Sequence, residues 1–183
     1  MSEEIIVRYC APTLAGIKTG SLFSYPYTER RQLHRQLRKL NGELVPQGLC
    51  AMPLRCDGSR ALIYVFSPRK LKEDLGSKEA AALLEAAGYP SVHSGKCISR
   101  LIERLNEGAE FPHEIGLFLG YPPEDVRGFI ENHAEHCKLC GCWKVYGDVD
   151  RAAGLFARYK QCTESYCERV HAGATIGQLV AAV

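Results

Sequence analysis

The chain has 183 residues, with 23 Lys and Arg against 21 Asp and Glu, a formal charge of +2, and 46% hydrophobic residues beside 24% charged ones. These values exclude a disordered, collagenous or wholly membrane-embedded protein, and so small a net charge excludes a bulk polyanion binder. The length suits one domain with a real core, and no stretch approaches the ~18 to 20 apolar residues of a membrane span. Met1-Ser2-Glu3-Glu4 puts acid where a secretory signal carries base, and nine cysteines are an odd number. Together these predict a cytoplasmic protein with reduced thiols rather than a disulfide framework.

In chain order, Ile5, Ile6 and Val7 predict a short first strand ending near Cys10-Ala11-Pro12-Thr13, where proline forbids a central ladder position. Thr28 caps a predicted helix through Gly42, with Leu33, Leu37 and Leu40 on one stripe and Arg30, Arg31, Arg35, Arg38 and Lys39 on the remaining faces. The runs Gly48 to Arg55 and Arg60 to Phe66 flank Asp57-Gly58 and predict a β-hairpin. Ser67-Pro68 opens a helix to Leu75, and Ser77 caps another to Ala87, stopped by Gly88-Tyr89-Pro90. Ile98, Leu101, Ile102 and Leu105 predict a helix ending at Gly108; helices over Pro112 to Leu119 and Pro123 to Asn132 flank Gly120-Tyr121-Pro122. Trp143 to Tyr146 reads as a strand joining the hairpin's sheet, Val149 to Lys160 as a helix, and the remainder as mostly helical. The predicted fold class is α+β: a single helix-rich domain with a small β-sheet that includes a hairpin.

Five features carry candidate chemistry. Cys10 stands after the predicted strand, beside a helix start and near Lys18, a setting that lowers a thiol pKa and suits a nucleophile; the alternative is a small buried core residue. His113, in Pro112-His113-Glu114, falls at a predicted helix start that keeps imidazole neutral, as a general base requires; the alternative is local capping. Cys137-Lys138-Leu139-Cys140-Gly141-Cys142 contains half a zinc knuckle, and Cys162 with Cys167 or His171 are the candidates for its second half, although the intervals depart from a zinc ribbon. Residues 112 to 132 have helix-turn-helix spacing. Their four acids, Glu114, Glu124, Asp125 and Glu131, against Arg127 alone give the wrong sign for phosphate contact. The basic helix at Arg30 to Lys39 is read either as a solvated face or as an anion site. Phosphate-binding glycine loops and a Gly-x-Ser-x-Gly elbow are absent.

The stretches from Cys10 to Thr19, Pro112 to Pro122, Asp125 to Asn132 and Trp143 to Asp148 resemble, in order and over nearly the whole chain, a bacterial domain family of unknown function with a Pro-His-Glu signature. The resemblance implies a stand-alone cytoplasmic protein and carries over Cys10, Pro12, Thr13, Gly16, Lys18, Pro112, His113, Glu114, Trp143, Lys144 and Tyr146 as family residues; it brings no activity. Grouping these motifs gives a pocket in which Cys10 is the nucleophile, His113 the base and Glu114 its orienter. Lys18, Lys144 and Tyr146 then bind an anionic ligand. The function expected is thiol-dependent transfer or hydrolysis on a small anionic molecule. The alternative is a noncatalytic ligand-binding or zinc-binding accessory protein using Cys137, Cys140, Cys142, Cys162 and His171, and a DNA-binding helix-turn-helix ranks below both. Nucleic acid and membrane are not expected partners, and nothing in the sequence sets the oligomeric state.

Overall fold

In the computed structural model, which describes residues 1–90, 93–108 and 111–181, the first element is a helix and not the predicted strand. Helix α1 spans Glu3–Leu14; the Ser2 side chain accepts from the Ile5 amide at 3.4 Å, and Glu3 and Glu4 in the first turn complement the helix dipole. Ile6, Val7, Cys10, Ala11 and Leu14 are buried together. Their spacing of one, four, five and eight positions is helical, and it overrides the β-propensity of Ile5-Ile6-Val7. Pro12 sits in the last turn, and just past the helix end Gly16, at φ +68°, lets the Ile17 amide return to the Pro12 carbonyl at 2.9 Å.

The chain divides into two compact units, Met1–Arg69 with Gln161–Val183, and Lys70–Lys160. In the first, β1 (Gly20–Pro26), β2 (Cys50–Asp57) and β3 (Arg60–Phe66) form an antiparallel sheet in the order β1-β3-β2. The predicted hairpin is β2–β3: Asp57 faces Arg60 across a two-residue turn in which Gly58 takes φ +48°. Both strand prolines, Pro26 and Pro53, lie on edge strands, and the register slips between Pro53 and Arg55. Strand β1 was not anticipated; it pairs Gly20 with Phe66 and Pro26 with Arg60. Helix α2 (Arg30–Leu44) buries Leu33, Leu37, Leu40 and Leu44 as its stripe predicts. One core gathers α1, α2 and the inward residues Ala61, Ile63 and Val65 of the central strand, with Ile176 and Leu179 from the short C-terminal helix Ile176–Leu179.

The second unit contains α4 (Lys78–Ala86), α5 (Ser94–Glu107), α6 (Ile115–Phe118) and α7 (Pro123–Glu131), with α3 (Pro68–Leu75) crossing into it at its start. Helix α6 is a single turn and not the predicted Pro112 to Leu119 segment. Strands β4 (Leu139–Cys140) and β5 (Lys144–Val145) make a separate two-stranded sheet, so the Trp143 to Tyr146 segment does not join the three-stranded sheet as predicted. The residues between them explain this: Gly141-Cys142-Trp143 folds the chain back directly, and β5 takes β4 as its partner. Val145 is fully buried there, as Ile63 and Val65 are in the other sheet. Helix α8 runs unbroken over Val149–His171, where the sequence predicts a helix to Lys160 and further helix beyond. The class is α+β, as expected.

Candidate functional site

In the second unit, Pro123 sets the first position of α7 and places Asp125 within its first turn, only 3% exposed. Its carboxylate accepts three hydrogen bonds at 2.7 Å: Trp143 Nε1–H at Oδ2, and the Tyr146 and Gly147 amides at Oδ1. Asp125 therefore ties the start of α7 to the strand that follows the β4–β5 turn. A buried carboxylate is tolerated because its acceptor sites are filled by fixed donors. Gly128 allows the approach, since a Cβ there would stand 2.4 Å from Cγ of the Tyr146 ring.

Between α7 and β4 the backbone takes left-handed φ values at His133 (+48°), Ala134 (+64°) and His136 (+55°), which cost energy for side-chain-bearing residues. Lys144 Nζ donates to the Ala134 carbonyl at 2.6 Å, and the Tyr146 hydroxyl donates to the Glu135 carbonyl at 2.9 Å. Two of the three side chains expected to bind ligand, Lys144 and Tyr146, thus clamp this loop, while the third, Lys18, belongs to the first unit. Lys144 keeps two further N–H donors beyond that bond.

An open cleft of about 410 Å³ lies against this framework, lined by Phe111, His113, Ile115, Gly116, Tyr121, Asp125, Val126, Phe129, Cys140, Gly141, Trp143 and Lys144. Its wall is aromatic. Tyr121 stacks on Trp143 with ring centres 4.8 Å apart, Phe156 meets the Trp143 ring edge-on at 4.5 Å, and the exposed His113 ring meets Phe129 edge-on at 5.0 Å. Gly141 makes room for Phe156, whose ring would lie 2.2 Å from a Cβ. Burial raises the Tyr121 phenol to about 12, with Cys142 and Tyr159 adding to the effect. The polar functions at the cleft are the His113 imidazole, the Lys144 ammonium and the exposed Cys140 thiol, with Asp125 already committed.

The structure brings His113, Trp143 and Lys144 together and leaves the other expected participants elsewhere. Cys10 lies within α1, not after a strand; it is fully enclosed in the core of the first unit, and burial pushes its thiol up to about 12 despite the opposing influence of Lys18. Glu114 does not line the cleft. It is buried in an ion pair with Arg104 Nε at 2.7 Å and accepts from the Tyr89 hydroxyl at 2.8 Å, so it ties α5 to the segment before α6 instead of orienting His113. Burial, and then the Glu114 charge, hold the Tyr89 phenol far above its ordinary range. Of the five zinc candidates, Cys137, Cys140 and Cys142 fall in the second unit, Cys162 and His171 in the first. Cys162 packs on the first unit's core, and the His171 ring lies 3.6 Å from a Glu4 oxygen. Among the described residues no three His, Cys, Asp or Glu side chains stand together as ligands for one ion.

Asp125, Tyr121 and Phe129 are among the cleft residues to which the sequence alone assigns no site role. Asp125 counted only as one charge of an acidic segment, because nothing in its spacing reveals that Trp143, 18 residues away, carries its partner. Fold and cleft define a helix-rich α+β protein whose second unit carries an aromatic-walled cavity. The chain belongs to the family described as "Protein of unknown function (DUF3793)", whose model matches residues 6–180. No curated protein and no solved structure matches it.

Proposed function

We propose that the protein binds a small, planar, mostly apolar molecule bearing one anionic or acceptor group, and that the cleft of the second unit is its site. The observation that carries this reading is the lining: a stacked Tyr121–Trp143 pair and Phe129 supply flat apolar surface, while Lys144 and His113 supply the donors. Few polar groups in an apolar wall is the composition that orients a ligand, and the volume falls within the usual range for small-molecule sites. The enclosure of Cys10 supports the noncatalytic reading over thiol chemistry at that residue. Nine free cysteines support a reducing compartment, hence the cytoplasm, and among the described residues no helix is long and apolar enough to cross a membrane.

Trp143 is the chain's one tryptophan and lines this cleft, so its emission serves as the donor for a bound probe. Titration with an aromatic sulfonate such as anilinonaphthalene sulfonate is expected to quench Trp143 by energy transfer at one probe per chain. A probe engaging about 12 non-hydrogen atoms at roughly 0.5 kcal/mol each gains ~6 kcal/mol, a Kd of tens of micromolar. Cys140→Phe, on an exposed position of the lining, should abolish the quenching, and Lys144→Gln should weaken it more for anionic than for neutral aromatics. Quenching unchanged in Cys140→Phe would place the probe elsewhere and remove the proposal's support.

A further inference from the structure

The exposed face of α2 carries Arg30, Arg31, Arg35, Arg38 and Lys39, all solvent-facing, while its leucine stripe is spent on the core. Among the described residues none of the five makes a hydrogen bond or ion pair to a carboxylate, although i,i+4 acids would be the ordinary way to neutralise such a face. They are five of the 11 Lys and Arg in the first unit, which has 7 Asp and Glu and so a formal charge of +4, whereas the second unit, with 12 against 14, stands at −2. The small net charge of the whole chain therefore conceals a local concentration of cations. The one acid within the helix, Glu43, is taken by the Gly177 amide at 3.0 Å.

A second cavity of about 500 Å³ lies beside this face within the same unit. Its wall includes Tyr25, Tyr27, Gln32, Gln36 and Arg60, and the glutamines form the helical row adjoining Arg31, Arg35 and Lys39. Arg60 is fixed by its Nε–H bond to Ser24 Oγ at 2.7 Å. Half-buried aromatic rings accept a base on their faces, and side-chain amides read base edges, while an adjacent arginine row matches a phosphate backbone. A bilayer would ask for apolar residues beside the cations, but the apolar residues of α2 point into the core.

From these two neighbouring features we infer that the first unit binds single-stranded nucleic acid, with its phosphates along Arg31, Arg35, Arg38 and Lys39 and a base in the Tyr25–Tyr27 cavity. About four phosphate contacts give a salt exponent near −3, so raising salt from roughly 50 to 200 mM should lower affinity about 50-fold. The site is independent of the aromatic cleft of the second unit.

The test is fluorescence anisotropy of the full chain with labelled single-stranded RNA and DNA of about 12 nucleotides, a duplex of the same sequence, and anionic phosphatidylserine vesicles in a parallel sedimentation assay. Saturable binding to a single strand with that salt dependence is expected, with RNA and DNA separated by the comparison of the two oligonucleotides. The triple variant Arg31→Gln, Arg35→Gln, Lys39→Gln alters exposed positions only and should lower affinity at least 10-fold while leaving the circular dichroism spectrum unchanged. Tyr27→Leu, which keeps an apolar side chain but no ring, should lower it about fivefold or more for single strands alone. Absence of binding at low salt, affinity unchanged in the triple variant, preference for duplex, single-strand binding unaffected by Tyr27→Leu, or binding to vesicles without binding to oligonucleotides would each overturn the inference.

Discussion

Replacing Asp125 by Asn tests the framework on which the aromatic cleft rests. Asparagine retains an oxygen for the Tyr146 and Gly147 amides, now both at 2.7 Å from Oδ1, but turns an NH2 toward the Trp143 indole N–H that Oδ2 receives in the native protein. At a position 3% exposed, water does not easily rescue the orphaned donor. One lost charge-assisted bond, with the weakening of two others, costs about 2 to 3 kcal/mol. In urea this lowers the unfolding midpoint by about 1 M if the slope is near 2 kcal/mol per molar. Far-UV circular dichroism is the right probe, because the cycle requires Trp143→Phe, which removes both the donor and the fluorophore. In that background Asp125→Asn should cost at least ~1 kcal/mol less than in the native chain, the difference being the coupling between the two side chains. A loss below about 0.5 kcal/mol for the single variant, or the same loss with and without the indole, would refute the account of Asp125 as the tie between α7 and β5.

Three further outcomes follow from the packing. Cys10 carries a thiol raised from 9.0 to about 12 by burial; below pH 9 both folded and unfolded chains hold that proton, whereas above it the unfolded chain releases it first. Stability should therefore fall as pH rises through this window, by ~2 kcal/mol at 1.5 pH units into it, and Cys10→Ala should lose less than the native chain between those pH values in urea titrations. Gly128→Ala, ordinarily favourable inside a helix by about 1 kcal/mol, should instead destabilise by roughly 2 kcal/mol because its Cβ meets the Tyr146 ring at 2.4 Å, as thermal unfolding will show. Glu114→Ala should cost roughly 3 kcal/mol, leaving Arg104 and the Tyr89 hydroxyl without their carboxylate, and should leave probe binding at the cleft unchanged at temperatures where the variant stays folded.

Where periodicity and turn chemistry act locally, the sequence is a sufficient guide. The Leu33, Leu37, Leu40 stripe, the Asp57-Gly58 turn and the Ser77 cap all produce the elements they predict. Ile5-Ile6-Val7 misleads because β-branched residues also serve a helix when the positions four and seven or eight further on are apolar, and Ser2 with Glu3 and Glu4 supplies a start that outweighs propensity. The cleft was half legible: His113, Trp143 and Lys144 do share one wall. Asp125 was not, since a hydrogen bond across 18 residues has no local signature. Cys10 and Glu114 misdirected the reading for a common reason, that a thiol or carboxylate suited to chemistry is equally suited to burial when the core encloses it or an arginine meets it.

The central claim, a small-molecule site against Trp143, is tested most directly by the indole N–H resonance of that residue, the chain's one indole, in a nitrogen-15 labelled sample. Titration with a planar aromatic carboxylate should move this peak along a saturable curve at one ligand per chain, and the movement should vanish in Cys140→Phe. A peak that stays in place while planar aromatic acids and neutral aromatics are raised to millimolar concentration would contradict the account.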